Sequence, residues 1–473
     1  MKVEQIYTGC LAQGTYYIES DGEAAIIDPL REVQPYIQKA ARNHVKIKYV
    51  FETHFHADFV SGHLDLAKET GAKIIYGPTA QPGFEAITAE DGQEFKLGKV
   101  VLKVIHTPGH TMESSCFLLK NETGKEVALF TGDTLFIGDV GRPDLAQKVI
   151  AELTPEKLVD HLYDSLHNKI LPLADDIIVY PAHGAGSACG KNMSKETTDT
   201  LGHQKATNYA LRPGLSREQF VKEVLTGLTP PPQYFPLNVL MNIKGYDSIS
   251  DVIKRGTQAL SADAFETAAN ETGALILDTR NAQTFAKAFI PNSINIGIDG
   301  SFAPWAGTLI PDIKQEILLV TDEDKAEEVI TRLARVGYDH TIGYLEDGFE
   351  SWTKAGKEVD SISSVSVDEL IAICKKDPQA DILDVRKKSE YDSEHITTAE
   401  NIPLDYINDN MAQVSRNKTY YVHCASGYRS MMFVSILKAR GYDNLVDVNG
   451  GFKAMKESGK FEITDYVYPT TLL

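Results

Sequence analysis

The chain has 473 residues, of which 42% are apolar, and its 47 basic and 66 acidic side chains give a formal net charge of −19. The length predicts about three domains, and the apolar fraction is sufficient for packed cores. The charge argues against non-specific nucleic-acid binding, which depends on Lys and Arg neutralising phosphates. The sequence contains no apolar run of about 18 residues, so it predicts no membrane-spanning helix.

The N-terminus and the cysteines indicate where the protein works. The first residues lack the apolar core of a signal peptide and are typical of a first strand. The five cysteines are odd in number and include no Cys-x-x-Cys pair. This usage fits a reducing compartment rather than a disulfide framework, so we expect a cytoplasmic protein.

The first chemical motif is HFHADF at residues 54–59, which follows a predicted strand at 47–51. Its polar members are His54, His56 and Asp58. Histidines two positions apart beside a carboxylate can converge on a metal when a loop turns their side chains inward. This motif alone would be moderate evidence for a metal site.

Three further groups complete the pattern, namely TPGHT at 107–111, TGDT at 131–134 and PAHG at 181–184. Each of them also follows a predicted strand, where loops build most α/β active sites. Turn and capping histidines are the alternative interpretation. They do not explain why every group follows a strand and lies beside Gly or Pro. We therefore predict a metal site.

All of these motifs lie in a first domain that we place at residues 1–243. Within it, the segment 229–236 reads TPPPQYFP, and consecutive prolines favour an extended backbone. The segment is either a linker or a strap that packs on the first domain through Tyr234 and Phe235. We prefer the strap and assign residues 229–243 to this strap or linker.

The remainder of the chain is an internal duplication with one small α/β domain per copy. LILDTR at 275–280 matches DILDVR at 381–386. We place the two copies at residues 244–358 and 359–473. The order of strand, loop, helix and strand predicts a parallel sheet with helices on both faces in each copy.

The two copies differ in one loop. In the second copy a predicted strand at 419–423 runs into CASGYR at 424–429, and a helical stretch follows. Cys424 would face backbone N–H groups and a helix N-terminus, which favour a thiolate and bind anions. The first copy has TDEDK at 321–325 instead, and its acidic groups would repel an anion. We expect the middle domain to be catalytically silent.

With these residues identified, the chain resembles a metallo-β-lactamase domain fused to two rhodanese domains. CASGYR is similar to the rhodanese active-site loop, and LDVR at 383–386 and GGF at 450–452 resemble rhodanese framework motifs. The implied fold is an α/β architecture, with an N-terminal αββα metallo-β-lactamase sandwich followed by two rhodanese-like domains with parallel sheets. The middle copy resembles the inactive rhodanese-homology domains that occur in tandem arrays.

The N-terminal domain most resembles persulfide dioxygenases, a branch that is fused to rhodaneses and holds one Fe(II) with two His and one Asp. Carried over to this sequence, the resemblance assigns the metal ligands to His54, His110 and Asp133. Two imidazoles and one carboxylate on one face leave positions open for O₂ and for a substrate sulfur.

Four other positions bear on the number of metals. His56, Asp58 and His183 are expected to orient waters or the ligands themselves. The superfamily pattern usually has a His at position 59 that belongs to a second zinc site, and this chain has Phe59. That departure weakens a dinuclear zinc site more than a mononuclear iron site. Zinc is the alternative metal.

The substrate pocket is less well defined by the sequence. GDVGRPD at 138–144 resembles a segment near the thiol-cofactor pocket of these enzymes. Arg142, with Asp144 beside it, would pair with a substrate carboxylate, or the two would only stiffen a loop. Tyr180, at a strand end, would hydrogen-bond a bound intermediate, or it would simply pack there.

Two cysteines are candidate catalytic groups. By the resemblance, Cys424 forms the covalent persulfide, Arg429 adds a permanent positive charge, and Ser426 and Gly427 belong to the substrate-binding loop. Cys189 is the second candidate. It lies in a Gly-rich loop beside a lysine at position 191 that would lower the thiol pKa. It would hold a persulfide near the metal, or it is a bystander.

The resemblance implies a persulfide dioxygenase that oxidises a thiol persulfide to sulfite and is coupled to rhodanese sulfur transfer, in the detoxification of sulfide and persulfides. Glutathione, coenzyme A, cysteine and bacillithiol are all candidate thiols. Sulfur transfer would form or use thiosulfate, and fusion raises the local concentration of the shared intermediate. We expect small-molecule partners including O₂, no nucleic acid, no membrane and a homo-oligomer.

Two other functions are open at this stage. A dinuclear zinc hydrolase of the glyoxalase II type would cleave a glutathione thioester, but Phe59 counts against two metals and the rhodanese domains would have no evident role. A sulfur carrier or sensor would relay a persulfide from Cys424 to a partner beside a vestigial metal domain. Retention of the whole set of metal-binding residues argues against such decay.

Overall fold

The structure, a computed structural model, describes residues 1–145 and 154–468. The chain divides into two compact units, residues 1–250 with 334–337 and residues 251–333 with 338–473. The last five residues of the predicted third domain lie outside the described residues. No helix in the described ranges is both long enough and apolar enough to cross a membrane.

The first unit begins with a sheet in the strand order β1-β2-β3-β4-β5-β6. Its strands are β1 Lys2–Thr8, β2 Gln13–Ser20, β3 Glu23–Ile27, β4 Lys46–Phe51, β5 Lys73–Tyr76 and β6 Ile87–Thr88. β1, β2 and β3 pair antiparallel, and the strands from β3 to β6 are parallel. The parallel pairing brings the residues after β3 and β4 to one edge of the sheet.

A second sheet has the order β12-β11-β10-β9-β8-β7. Its strands are β7 Glu94–Leu97, β8 Val100–His106, β9 Ser115–Lys120, β10 Glu126–Gly132, β11 Ile178–Pro181 and β12 Asp199–Thr200. The central pair β10 and β11 is parallel, whereas β10, β9, β8 and β7 pair antiparallel. The predicted metal-binding group at 107–111 directly follows β8, and the groups at 131–134 and 181–184 begin within the last residues of β10 and β11.

Side-chain alternation along β2 shows how the two sheets share a core. Tyr16 and Ile18 pack with Phe117 of the second sheet, whereas Tyr17 lies in the cluster that includes Tyr36 on the helical side. The helices of this unit are α1 Gln34–Arg42, α2 His63–Thr70, α3 Pro155–Ser165, α4 Leu201–Thr207, α5 Arg217–Leu225 and α6 Phe235–Lys244. Helices therefore cover both outer faces, which confirms the αββα sandwich.

The proline-rich segment leads into helix α6. Residues 228–232 have no regular structure, and α6 begins at Phe235 with a proline in its first turn. Tyr234 and Phe235 are buried, and their rings meet edge to face with centroids 5.0 Å apart. The C-terminal part of the predicted strap or linker is thus a helix, because Pro is tolerated in a first helical turn.

The middle domain contains a parallel sheet in the order β13-β17-β16-β14-β15. In chain order its elements are α7 Ile249–Gly256, β13 Ala259–Leu260, α8 Ala262–Thr272, β14 Leu275–Asp278, α9 Ala282–Lys287, β15 Ile294–Asn295, α10 Phe302–Leu309, β16 Ile317–Val320, α11 Ala326–Arg335, β17 Thr341–Leu345 and α12 Gly348–Lys354.

The third domain repeats this topology with the order β18-β22-β21-β19-β20, again all parallel. Its elements are β18 Ser364–Val365, α13 Val367–Lys376, β19 Asp381–Asp384, α14 Lys388–Ser393, β20 Glu400–Asn401, α15 Ile407–Asn410, β21 Tyr420–His423, α16 Tyr428–Ala439, β22 Leu445–Val448 and α17 Gly451–Ser458. The matching strand orders confirm two α/β domains with parallel sheets.

Candidate metal centre and sulfur-transfer loop

His54, His110 and Asp133 are buried beyond the ends of β4, β8 and β10. One ligand atom of each lies within 4.8 Å of the other two. Nε2 of His110 is 3.4 Å and Nε2 of His54 is 3.9 Å from Asp133 Oδ2. Within the described residues, neither carboxylate oxygen of Asp133 has a hydrogen-bond partner. An unpaired buried carboxylate is costly, so this group fits a bound cation.

Neighbouring hydrogen bonds fix the tautomers of both histidines. His110 donates from Nδ1 to the backbone oxygen of Arg142 at 2.7 Å. His54 Nδ1 lies 3.0 Å from the hydroxyl oxygen of Thr53, whose own hydrogen goes to Asp28 at 2.8 Å. That hydroxyl can therefore only accept from His54. Both rings carry the hydrogen on Nδ1, which leaves the Nε2 lone pairs for a metal.

The protonation state of His54 also suits a ligand. Burial lowers the pKa of this imidazole well below its usual value, and the nearby rings of His56, His110 and His183 lower it further. A neutral imidazole is the form that binds metals.

His56 belongs to a different network, with residues that sequence reasoning missed. Its Nε2 lies 3.1 Å from Asp28 Oδ1 and 3.4 Å from Glu52 Oε2, and Glu52 approaches His63 at 3.5 Å. Burial alone would lower the pKa of His56, but the two carboxylates hold it well above its usual value. Asp28 follows β3 just as the metal motif follows β4, and that position was the only signal in the sequence.

A second group lies on the other side of Asp133. Oδ1 of Asp133 is 3.6 Å from His183 Nε2, which in turn is 3.4 Å from Asp58 Oδ2. Ligand atoms of His56, Asp58 and His183 lie within 4.8 Å of one another. The structure therefore brings these three residues beside the first group, where they can orient its ligands or contribute to a second ion.

Phe59 closes part of this region. Its side chain is fully buried, and its ring centroid lies 4.3 Å from that of His56. Helix α6 fixes the same loop, because the Asn242 amide donates to the backbone oxygens of His56 and Phe59, each at 2.8 Å. Asn242 also accepts from the Ser61 N–H at 3.0 Å. A distant helix thus holds the loop in shape.

A cavity of about 450 Å³ leads to His110. Its walls are largely apolar, and two of the wall residues belong to helix α6. The apolar wall residues are Phe55, Ala57, Met112, Leu145, Val239 and Ile243. A polar wall residue, Glu113, is committed to the loop, since its carboxylate accepts from the Phe55 N–H at 3.1 Å. The cavity can exclude bulk water from a reacting group beside His110.

Arg142 and Asp144 do not line this cavity. The guanidinium of Arg142, only 4% exposed, binds both carboxylate oxygens of Asp144 at 2.7 and 2.6 Å and also donates to backbone oxygens of Thr229 and Ala188. These contacts favour the loop-stiffening interpretation. Since the Arg142 carbonyl orients His110, the pair still serves the metal group.

Tyr180 also lies outside the cavity wall. Its ring stacks on Phe130 with centroids 5.2 Å apart and meets Tyr16 at 5.3 Å. This environment favours the packing interpretation of Tyr180 over contact with an intermediate.

Cys189 lies beside the metal groups, and its thiol is within 4.8 Å of ligand atoms of Asp133 and His183. The predicted effect of Lys191 is wrong. Burial, followed by the neighbouring carboxylates, raises the pKa of Cys189 well above its usual value. The Lys191 ammonium instead donates to backbone oxygens, including that of Thr226 at 3.0 Å. The catalytic role of Cys189 stays a prediction that rests on its position.

The Cys424 loop forms the turn between β21 and α16. The N–H of Gly427 donates to Cys424 Sγ at 3.1 Å, and the first residue of α16 follows directly. Gly427 has φ +105°, a conformation that favours glycine. Backbone N–H groups at a helix N-terminus stabilise a thiolate or a bound anion.

The other predicted residues of this loop have distinct positions. Ser426 and Gly427 line a cavity of about 230 Å³. Arg429 binds Glu390 with both terminal nitrogens, at 2.5 and 2.9 Å. The permanent positive charge predicted for Arg429 thus has a carboxylate partner in Glu390, and the role of Arg429 in the loop stays a prediction.

Comparisons with known proteins identify the families of the domains that carry these two candidate sites. The sequence model described as Metallo-beta-lactamase superfamily matches residues 8–183, and the one described as Rhodanese-like domain matches 261–355 and 366–458. A metallo-beta-lactamase of known crystal structure from Staphylococcus aureus is 31% identical, with a TM-score of 0.64, over 73% of this chain and 99% of that chain. This chain belongs to the metallo-beta-lactamase superfamily. It is a fusion of such a domain with tandem rhodanese-like domains.

Two curated relatives of the fusion carry different activities in their names. Human mitochondrial persulfide dioxygenase ETHE1 is 29% identical over 225 residues, which span 47% of this chain and 79% of the human protein. A probable hydroxyacylglutathione hydrolase from Schizosaccharomyces pombe is 32% identical over 189 residues, which span 39% of this chain and 68% of the yeast protein. The domains indicate an enzyme of sulfur metabolism or a hydrolase.

Proposed function

We propose that the metallo-beta-lactamase domain oxidises the outer sulfur of a low-molecular-weight thiol persulfide to sulfite, and that Cys424 transfers sulfane sulfur. The observation that carries the first half is the group His54, His110 and Asp133, which offers three ligand atoms while His56 is engaged by carboxylates. Two imidazoles and one carboxylate suit non-haem Fe(II). When bound there, Fe(II) would supply the activation of O₂.

The chain's own residues prepare this reaction. Hydrogen bonds from the two ligand rings to the Arg142 carbonyl and to the Thr53 hydroxyl hold the Nε2 atoms towards Asp133. The apolar cavity beside His110 accommodates the carbon skeleton of a thiol and keeps water from the reacting sulfur. Positioning and water exclusion are thus the contributions of the protein.

Sulfur transfer at Cys424 follows from the loop geometry. The thiolate attacks the outer sulfur of a persulfide, a new S–S bond forms at Sγ, the donor S–S bond breaks, and the donor leaves as a thiolate. Attack of sulfite on the outer sulfur of the Cys424 persulfide would then release thiosulfate and restore the thiol. The N–H of Gly427 supports the negative sulfur in both directions.

Two further observations support this proposal. The human relative is named as a persulfide dioxygenase. Tandem rhodanese-like domains in the same chain tether the candidate sulfur-transfer cysteine to the domain that would form the first product, and tethering raises effective concentration. Glutathione, coenzyme A, cysteine and bacillithiol persulfides are the proposed substrates.

A zinc-dependent thioester hydrolase is the second candidate. It is favoured by the group His56, Asp58 and His183, which faces the second oxygen of Asp133 as a second ion would require. It is also favoured by the relative named as a probable hydroxyacylglutathione hydrolase. Phe59 occupies the position of a second-site ligand and argues against this candidate.

The test is O₂ consumption by anaerobically purified, Fe(II)-loaded protein after addition of glutathione persulfide or another of the proposed persulfides, with sulfite and thiosulfate quantified. The wild type should consume O₂ and yield thiosulfate, whereas Cys424→Ser should consume O₂ and yield sulfite. Asp133→Asn should lose bound iron and O₂ consumption together. Asp176→Asn, on the exposed surface, is the matched control and should behave as wild type.

Metal stoichiometry separates the two candidates. One iron per chain with persulfide-dependent O₂ consumption supports the dioxygenase. Two zinc ions per chain with cleavage of a glutathione thioester, and no O₂ consumption with any low-molecular-weight persulfide, would reject it in favour of the hydrolase.

A further inference from the structure

The cavity beside the Cys424 loop is built by two domains. Ser426, Gly427 and Tyr428 of the third domain form one side, and Thr279, Asn281 and Asp299 of the middle domain form part of the other. The domain without a cysteine in this loop position therefore supplies part of the wall of the cavity beside the Cys424 loop.

Specific contacts hold the two sides together. The Tyr428 hydroxyl donates to the backbone oxygen of Gly297 at 2.8 Å. A side chain at Gly297 or Gly300 would approach the Tyr428 ring to 3.3 or 3.2 Å, so glycine permits the ring to lie close to this backbone. The Asn295 N–H also donates to Ser435 Oγ, on α16, at 2.9 Å.

The charge of the cavity wall is simple. Among the lining residues that the structure describes, Asp299 is the only ionised side chain. Its carboxylate is exposed at the wall. The nearby cations Lys325 and Arg332 share one carboxylate partner, Glu328, which balances one of their two charges. Arg429, in the Cys424 loop, is committed to its own carboxylate partner.

We propose that small molecules approach Cys424 through the cavity beside its loop, and that Asp299, on the cysteine-free domain, determines the charge selectivity of this approach. Its carboxylate disfavours entry of anionic sulfur compounds and favours neutral or cationic ones. A unit charge in a partly enclosed cleft acts on a charged ligand more strongly than one in bulk water. This inference rests on the proposed reaction at Cys424 for its biological meaning, but the access of reagents can be measured without that reaction.

The experiment compares alkylation of Cys424 by iodoacetate, an anion, and by iodoacetamide, its neutral analogue. In both cases the thiolate attacks the methylene carbon and iodide leaves, so only the reagent charge differs. Rates are measured on the full-length protein by mass spectrometry of the peptide that contains Cys424. Asp299→Asn should raise the ratio of the iodoacetate rate to the iodoacetamide rate about twofold to fivefold, and added salt should reduce this difference.

Asp322→Asn is the matched control, because Asp322 is an exposed carboxylate of the same domain that does not line the cavity. An equal change of the ratio in both variants would attribute the effect to net charge and overturn the proposal. So would an unchanged ratio in Asp299→Asn, or a Cys424 that neither reagent reaches.

Sulfur-transfer kinetics then separate the proposed charge selectivity of Asp299 from the proposed sulfur transfer at Cys424. With thiosulfate as a dianionic donor, Asp299→Asn should lower KM, and with cysteamine persulfide, which carries an ammonium group, the same variant should raise it. Opposite shifts support charge selection, and shifts in the same direction contradict it. If no donor transfers sulfur while the alkylation ratio still changes, the proposed function fails and the charge selectivity stands.

Discussion

The middle and third domains share a framework and differ in one loop. In each, an arginine two residues beyond the end of a central strand binds the strand's last aspartate, Arg280 with Asp278 and Arg386 with Asp384, both at 2.6 Å. Each guanidinium also lies 4.0 Å from the centroid of a phenylalanine ring. The duplicated sequence thus encodes the same buried support twice.

The register of the sheets identifies the equivalent loop positions. Asp278 pairs with Val320 and Asp384 pairs with His423, so Thr321 stands where the third domain has Cys424. The buried Arg–Asp pair is therefore present both in the domain with Cys424 and in the domain with Thr321. The comparison teaches that the copy without the loop cysteine still contributes a wall to the cavity beside its neighbour's loop.

The largest effect is expected from changing the loop residue by which the two domains differ. Cys424→Ser should reduce sulfur transfer about a thousandfold or more, because the nucleophile is lost. Adding Thr321→Cys in that background should not restore transfer, since the acidic loop disfavours a thiolate. Transfer of thiosulfate sulfur to cyanide is the measurement, with persulfide mass on each cysteine peptide as a second readout. Recovery of transfer in the double variant would contradict the silent assignment of the middle domain.

The next effect tests whether the two frameworks are equivalent. Arg280→Ala and Arg386→Ala should each destabilise their own domain by about 3–5 kcal/mol, because each leaves a fully buried carboxylate unpaired. Domain-resolved hydrogen exchange in denaturant measures this loss. Lys354→Ala, at an exposed ion pair, is the control and should cost less than about 0.5 kcal/mol. A loss confined to one domain would show that the frameworks are not equivalent.

A smaller effect concerns the contact between the copies. Tyr428→Phe removes the hydrogen bond to Gly297 and should cost about 0.5–1.5 kcal/mol. Tyr421→Phe, on β21, is the control, because its side chain makes no hydrogen bond within the described structure. Equal denaturation midpoints for the two variants would show that this hydrogen bond does not stabilise the fold.

The smallest effect depends on pH. Burial would raise the pKa of Glu390, but Arg429 holds that pKa below its usual value. The pair therefore stabilises the third domain above the unfolded pKa, near 4.3, and this contribution is lost as pH falls through the lower folded pKa. Because Glu390 is partly exposed, the effect should be below about 1 kcal/mol. Glu390→Gln should flatten the pH dependence of unfolding between about pH 3 and pH 5; an unchanged profile would reject this coupling.

Much of the architecture was predictable from local patterns. Apolar strands followed by Gly, Pro and polar residues located the loops after β4, β8, β10 and β11, and the structure brings His54, His110 and Asp133 together there. The repeated LILDTR and DILDVR segments located both parallel sheets. These inferences succeeded because strand ends and repeated segments can be recognised from short stretches of contiguous residues.

The hydrogen-bond and ion-pair partners of individual side chains were less predictable from the sequence. Arg142 appeared available to a substrate carboxylate, yet it binds Asp144 and distant backbone oxygens. Lys191 adjoins Cys189 in sequence but directs its ammonium elsewhere, while carboxylates near the metal groups raise the thiol pKa. Proximity along a chain does not determine which partners a long, flexible side chain will find.

The sequence by itself determined the fusion of a metallo-beta-lactamase domain with two rhodanese-like domains, the candidate metal-binding residues and the one loop of the duplicated pair that carries a cysteine. Only the tertiary structure decided that Asp28 and Glu52 engage His56, that Asn242 on α6 holds the loop after β4, and that Asp299 lines the cavity beside the Cys424 loop. The physical reason is that such contacts join residues far apart in the chain, and their partners are chosen when sheets, helices and domains pack.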